Sequence, residues 1–85
     1  MARVERVLSA QKILDLIDEG KATKVDMDTW RHGHRDIFVV ELDDALWQFT
    51  VDCHPEEGYQ IYDSLTLTKV RKVPKEAYDY VPIKE

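Results

Sequence analysis

Hydrophobic and polar residues alternate from Asp36 to Cys53, DIFVVELDDALWQFTVDC. A period of two predicts a pair of strands, and Asp43-Asp44 falls where the chain must turn. A two-residue turn sets Leu42 against Ala45, Val40 against Trp47, Phe38 against Phe49 and Asp36 against Val51, all on one face that is almost wholly apolar. The opposite face pairs Glu41 with Leu46, Val39 with Gln48, Ile37 with Thr50 and Arg35 with Asp52. A slip of one residue would separate Phe38 from Phe49, so burial should fix this register. The turn is its weak point, because Asp-Asp suits a type I′ turn less well than Asn-Gly.

Upstream, Ala10, Ile13, Leu14, Leu16 and Ile17 recur at helical spacing. Ser9 is placed to cap that helix and Gly20 to end it. Met1 to Leu8 reads as a short strand or as the lead-in to the helix. From Ala22 to Trp30 the pattern returns to alternation, with Val25, Met27 and Thr29 on one side. Arg31-His32-Gly33-His34 then reads as a turn. Centred on His32-Gly33, it sets Met27 against Phe38 and Val25 against Val40. Downstream, His54-Pro55-Glu56-Glu57-Gly58 is a turn. Tyr59–Tyr62 and Leu65–Val73 read as strands with a bend at Asp63-Ser64, and Glu76–Glu85 as a last short strand or an ordered tail.

The expected fold is therefore α+β. One N-terminal helix packs on an antiparallel β-meander of about four to six strands, a single domain over residues 1–85. Its predicted core is Leu14, Ile17, Val25, Met27, Phe38, Val40, Leu42, Trp47, Phe49 and Val51. A chain of this length buries only about 60% of the surface that its unfolded form exposes, so the core is thin.

Chemistry enters weakly. Cys53 is the only cysteine, which excludes a disulfide framework and points to the cytoplasm. No apolar run reaches the roughly 18 residues of a membrane span, so no membrane partner is expected. His32, His34, Cys53 and His54 gather at one end of the sheet and are zinc-ligand types. Cys53 and His54 are adjacent, however, and so point to opposite faces, and the simpler reading is a polar loop end with a small buried thiol; no metal or cofactor is expected. A Cys53 nucleophile served by His34 or His54 is disfavoured by the apolar face on which the thiol should lie. An enzyme is the least favoured class.

Charge and surface say more. The net charge of −5 disfavours direct binding to nucleic acid. From Asp15 to Asp63 there are 13 acids against 4 bases, which suits a basic partner or simply a solvated surface. The second face of the sheet should present Trp30, Ile37, Val39 and Tyr62 amid Asp26, Asp28 and Glu41, an aromatic and aliphatic stripe rimmed by acids. That is the make-up of a partner-binding patch, unless the N-terminal segment or the C-terminal tail folds over it.

A short helix, a hairpin bearing Trp and Phe, a Pro-Glu-Glu-Gly-Tyr turn, LTLTKVRKV and a Tyr-Val-Pro ending follow one another along the chain. In size, acidity and organisation this resembles small phage-encoded proteins, the pool from which anti-CRISPR and other anti-defence inhibitors are drawn. The resemblance implies a non-enzymatic protein, acting in the host cytoplasm, that binds a host defence protein such as a CRISPR-Cas effector and blocks it. Two alternatives stand beside it. One is a homo-oligomeric module, such as a homodimer pairing through the same face. The other is a binder or sponge of a small anionic nucleotide, cued by the basic run from Lys69 to Lys75.

Overall fold

The structure is a computed structural model that describes residues 3–31, 33–73 and 80–84. Its elements run β1 (Glu5–Ser9), α1 (Ala10–Asp18), β2 (Ala22–Trp30), β3 (Gly33–Leu42), β4 (Ala45–His54), β5 (Gly58–Gln60), β6 (Ser64–Lys72) and β7 (Tyr80–Pro82). All seven strands form one antiparallel sheet in the order β1-β6-β4-β3-β2, with β5 paired to β4 and β7 to β6.

The β3–β4 ladder is the frame. Its register is the one the alternation predicts, with Val40 opposite Trp47, Phe38 opposite Phe49 and Asp36 opposite Val51. The Phe38 and Phe49 rings stack with centroids 5.3 Å apart, an arrangement worth about 0.5–1.5 kcal/mol beyond area burial. Asp43 and Asp44 both take left-handed backbone, at φ 52° and 61°, as a type I′ turn demands. The strained tip is held from three sides. Trp47 Nε1 donates to Leu42 O at 3.2 Å, Arg6 Nη1 pairs with Asp43 Oδ2 at 2.9 Å, and the Arg6 guanidinium lies 5.3 Å from the centroid of the Trp47 ring.

Because β1 and β2 are the two edges of the path, the connection between them must cross the inner face. Four strand gaps span roughly 19 Å, more than the roughly 14 Å of a nine-residue helix, so Glu19, Gly20 and Lys21 complete the crossing. Ser9 caps α1, its hydroxyl accepting from the Lys12 N–H at 3.3 Å, and Gly20 leaves the helix at φ +75°. Ile13 and Leu16 are buried against Phe38, Val40, Trp47, Phe49, Val51 and Leu67. Leu14 and Ile17, expected in the core, are only half-buried.

Three expectations are corrected. The helix is not the first element, since the short strand, one of the two readings of Met1 to Leu8, forms as β1 and pairs with β6, and the described residues hold seven strands rather than four to six. The sheet is not a simple meander: β4 shares its second edge between β6 and β5, and β6 shares its outer edge between β1 and β7. The two ends of the chain therefore meet at Lys69, where the Lys69 N–H donates to Val4 O at 2.8 Å and the Ile83 N–H to Lys69 O at 2.9 Å. Finally, His34 pairs with Thr29 rather than with Arg31, Gly33 pairs with Trp30, and a register shift falls between Lys24 and Asp26. Met27 then faces Asp36, and Ala22 takes the place beside Val40. Val25 is half-buried at the irregularity, and Met27 is 45% exposed.

Gly33 explains why the turn falls where it does. A Cβ there would stand 2.6 Å from the Cys53 carbonyl oxygen, so the start of β3 can lie this close to β4 only without a side chain. Gly33→Ala should lower stability by about 1–3 kcal/mol through that clash. Urea unfolding measures it, and an unchanged midpoint contradicts the argument.

Candidate functional site

Two regions carry chemistry, one on each face. On the outer face, Asp26, Asp28 and Trp30 of β2 lie beside Ile37, Arg35 and Gly33 of β3. The adjoining positions on β4 are Thr50 and Asp52. Trp30 is 45% exposed, yet it is held in place. The Arg35 guanidinium sits 5.6 Å from its ring centroid, and Arg35 Nε is anchored on Asp52 Oδ1 at 2.8 Å. The hydrogen bond that Arg35 donates to Asp52, then the Asp52 charge, raises the Arg35 pKa above its ordinary value. Asp26 turns one carboxylate oxygen back onto the Met27 N–H at 2.8 Å. Together with the register shift beside Val25, this interrupts β2 as a template for edge-to-edge pairing.

The residues expected on this patch do not all reach it. Asp26, Asp28, Trp30, Ile37 and Glu41 share the face, and Glu41 is exposed. Val39 is on the same face but only 5% exposed, so it supports the surface rather than forming it. Tyr62 is 86% exposed but follows β5. The strand order puts β3 and β4 between it and β2, roughly 14 Å at ordinary strand spacing.

The inner face is apolar at the hairpin tip and polar at the other end. Asp36 sits there with its side chain 3% exposed. The β3–β4 register places it on this face, since it occupies the same side of β3 as Phe38 and Val40. Tyr59 Oη donates to Asp36 Oδ2 at 3.2 Å. Lys24 Nζ and His34 Nε2 each stand 3.4 Å from Oδ1. Among the described residues Oδ1 accepts no hydrogen bond of good geometry. A buried carboxylate is tolerated only when cations or donors surround it, and here they come from β2, β3 and β5 together. Cys53 belongs to this group. It faces His34 across the β3–β4 ladder and Tyr59 across the β4–β5 ladder, and it is a free, half-buried thiol.

The gathering of histidines is partly resolved. His34 and Cys53 are neighbours on the inner face. His54 is the next residue along β4, and its Nδ1 accepts from the Glu56 N–H at 3.2 Å. His32 is outside the described residues. Among the described residues, no three His, Cys, Asp or Glu side chains are placed to hold a metal ion. Cys53 lies opposite His34 and Tyr59 rather than among apolar residues alone, and its thiol donates to the His54 carbonyl oxygen at 3.9 Å. Lys24 and Tyr59 were missed because each comes from another strand. The signal that could have found the site was Asp36 itself, a lone carboxylate on an otherwise apolar face.

No helix among the described residues is long and apolar enough to cross a membrane. Comparison with protein families, with curated proteins and with solved structures yields no match.

Burial, then the hydrogen bond to Asp36 and its negative charge, raises the Tyr59 pKa above 10.0. The folded state therefore holds the phenolic proton more tightly than the unfolded state does. The stability this supplies is complete below about pH 10 and is lost as pH rises through the folded value. Between about pH 8 and pH 11, wild type should lose more unfolding free energy than Tyr59→Phe, measured by urea titration at each pH. Equal losses contradict the assignment.

Proposed function

We propose that the protein is a non-enzymatic protein-binding module that acts by occupying a partner's surface. The observation that carries this reading is Trp30, half-exposed and held by Arg35 and Asp52 beside Asp26 and Asp28. A rigid aromatic side chain loses little entropy on binding, and such residues anchor interfaces. The acids around it favour a basic partner surface and disfavour a second copy of the same face, because like charges would meet.

The resemblance to small phage-encoded inhibitors extends this to a class of partner, a host defence protein such as a CRISPR-Cas effector. Nucleic-acid-binding surfaces on such proteins are basic, and carboxylates presented on a sheet can compete with phosphates for them. In this reading the strip formed by Asp26, Asp28, Trp30, Ile37 and Glu41 is the contact surface. Val39 lies beneath it, and Tyr62 stands apart.

Capture from bacterial host lysate on the immobilised protein tests the proposal. Wild type should retain a defined partner. Trp30→Ala should weaken its retention by about tenfold or more, as for a hot-spot anchor, with the melting temperature little changed. Raising the salt concentration should also weaken binding, because the acids contribute through long-range charge. Capture of nothing above background, or capture indifferent to Trp30→Ala, would count against the proposal.

A further inference from the structure

We propose that the free edge of β1 is a self-association site, at which two copies of this chain pair β1 to β1, antiparallel, about a two-fold axis at Val7. The inference does not rest on the binding role of the outer strip, which is built on the strands at the other end of the sheet order.

The backbone decides which groups are available. Among the described residues β1 pairs only with β6, in a register that opposes Leu8 to Leu65 and Arg6 to Leu67. The Ala10 N–H donates to Asp63 O at 3.0 Å, and the Lys69 N–H to Val4 O at 2.8 Å. Bonded pairs alternate along an antiparallel ladder, so Arg6 and Leu8 turn their N–H and C=O groups toward β6. Glu5, Val7 and Ser9 turn their N–H groups away from it. The other edge of the sheet differs. On β2 the register shift beside Val25 and the Asp26 carboxylate on the Met27 N–H obstruct a further strand. From Glu5 to Ser9 the register is unbroken and no proline intervenes. The one cation of β1, Arg6, is engaged on the inner face by Asp43 and Trp47. Val7, at the centre of the strand, is 62% exposed.

The charges of β1 select a second copy and its register. A two-fold axis perpendicular to the sheet keeps each face on its own side, so one residue meets its own counterpart at the centre. Centring on Glu5 sets carboxylate against carboxylate, and centring on Arg6 sets guanidinium against guanidinium. Centring on Leu8 leaves only Val7 to Ser9 to pair, because α1 begins at Ala10. Centring on Val7 uses the whole strand, with Arg6 opposite Leu8 and Glu5 opposite Ser9 of the second copy. The two Val7 residues then exchange both backbone hydrogen bonds, and each Ser9 N–H meets the Glu5 carbonyl across the axis. Each Glu5 carboxylate also arrives beside Ser9 at the start of the other copy's α1. The first turn of that helix holds no acid of its own, so its dipole attracts the incoming charge. The joined sheet runs through both copies and leaves both outer strips open.

Sedimentation equilibrium of the intact protein tests this. The contact is small, so association should be weak, with a Kd on the order of 100 µM. Val7→Pro removes the central outward N–H and leaves the bonds to β6 in place, since an edge strand tolerates proline there. It should raise the Kd by about tenfold or more, with the melting temperature little changed. Val7→Lys keeps the backbone, sets like charges across the axis and should act in the same direction. It serves where the proline variant fails to fold. Trp30→Ala, on the far edge, should leave the Kd unchanged. Amide exchange gives a direct reading: the Val7 N–H should become more protected as protein concentration rises. A wild type that stays monomeric up to about 1 mM overturns the proposal. So does a dimer that either folded Val7 variant leaves intact, or a Val7 amide that exchanges freely at every concentration. Dissociation by Trp30→Ala would put the contact on the outer strip and overturns it too.

Discussion

The stacked pair Phe38–Phe49 is the contact on which the rest depends. Once these rings share a face, alternation assigns every other residue of β3 and β4 to one side or the other. Val40, Trp47 and Val51 go to the core beneath α1, while Ile37, Arg35 and Asp52 go to the surface that holds Trp30. The same assignment sends Asp36, His34 and Cys53 inward. The apolar core and the polar group at its end are thus two consequences of one register.

That polar group is the least economical part of the fold. Placing a carboxylate at 3% exposure costs several kcal/mol unless its partners are well placed, and an apolar residue would pack there without them. The fold meets the requirement in part: Tyr59 donates to Oδ2, while Lys24 and His34 come within 3.4 Å of Oδ1 without a hydrogen bond of good geometry. Tyr59 also packs edge-on against Phe38, ring centroids 6.1 Å apart, so it joins the core to the carboxylate and ties β5, only three residues long, to the frame.

How much was legible in the sequence follows the range of each interaction. The hairpin, its turn at Asp43-Asp44, the Ser9 cap and the exit at Gly20 rest on neighbours in the chain or on a strict period, and all were readable. The β2–β3 register was not. It depends on how closely Gly33 approaches the Cys53 carbonyl and on an irregularity beside Val25, neither of which leaves a mark in the alternation. The insertion of β6 between β4 and β1, and the meeting of the chain ends at Lys69, are long-range choices that hydropathy cannot express. Of the outer strip, the placement of Asp26, Asp28, Trp30, Ile37 and Glu41 on one face was readable from period alone. The distance of Tyr62 was not, since it depends on strand order, and nothing in the period marks Val39 as buried. Of the inner site, the juxtaposition of His34 and Cys53 came with the hairpin, whereas Lys24 and Tyr59 came with strands whose positions were unknown.

The central claim is that the β3–β4 ladder is the frame and the shorter strands are attached to it. Native-state amide hydrogen exchange, followed residue by residue with increasing denaturant, tests this most directly. The account predicts that the hydrogen-bonded amides from Phe38 to Val40 and from Trp47 to Val51 exchange only through global unfolding, while those of β5 and β7 open locally at lower free energy. Exchange from the centre of β3 and β4 as easy as from β5 would contradict it.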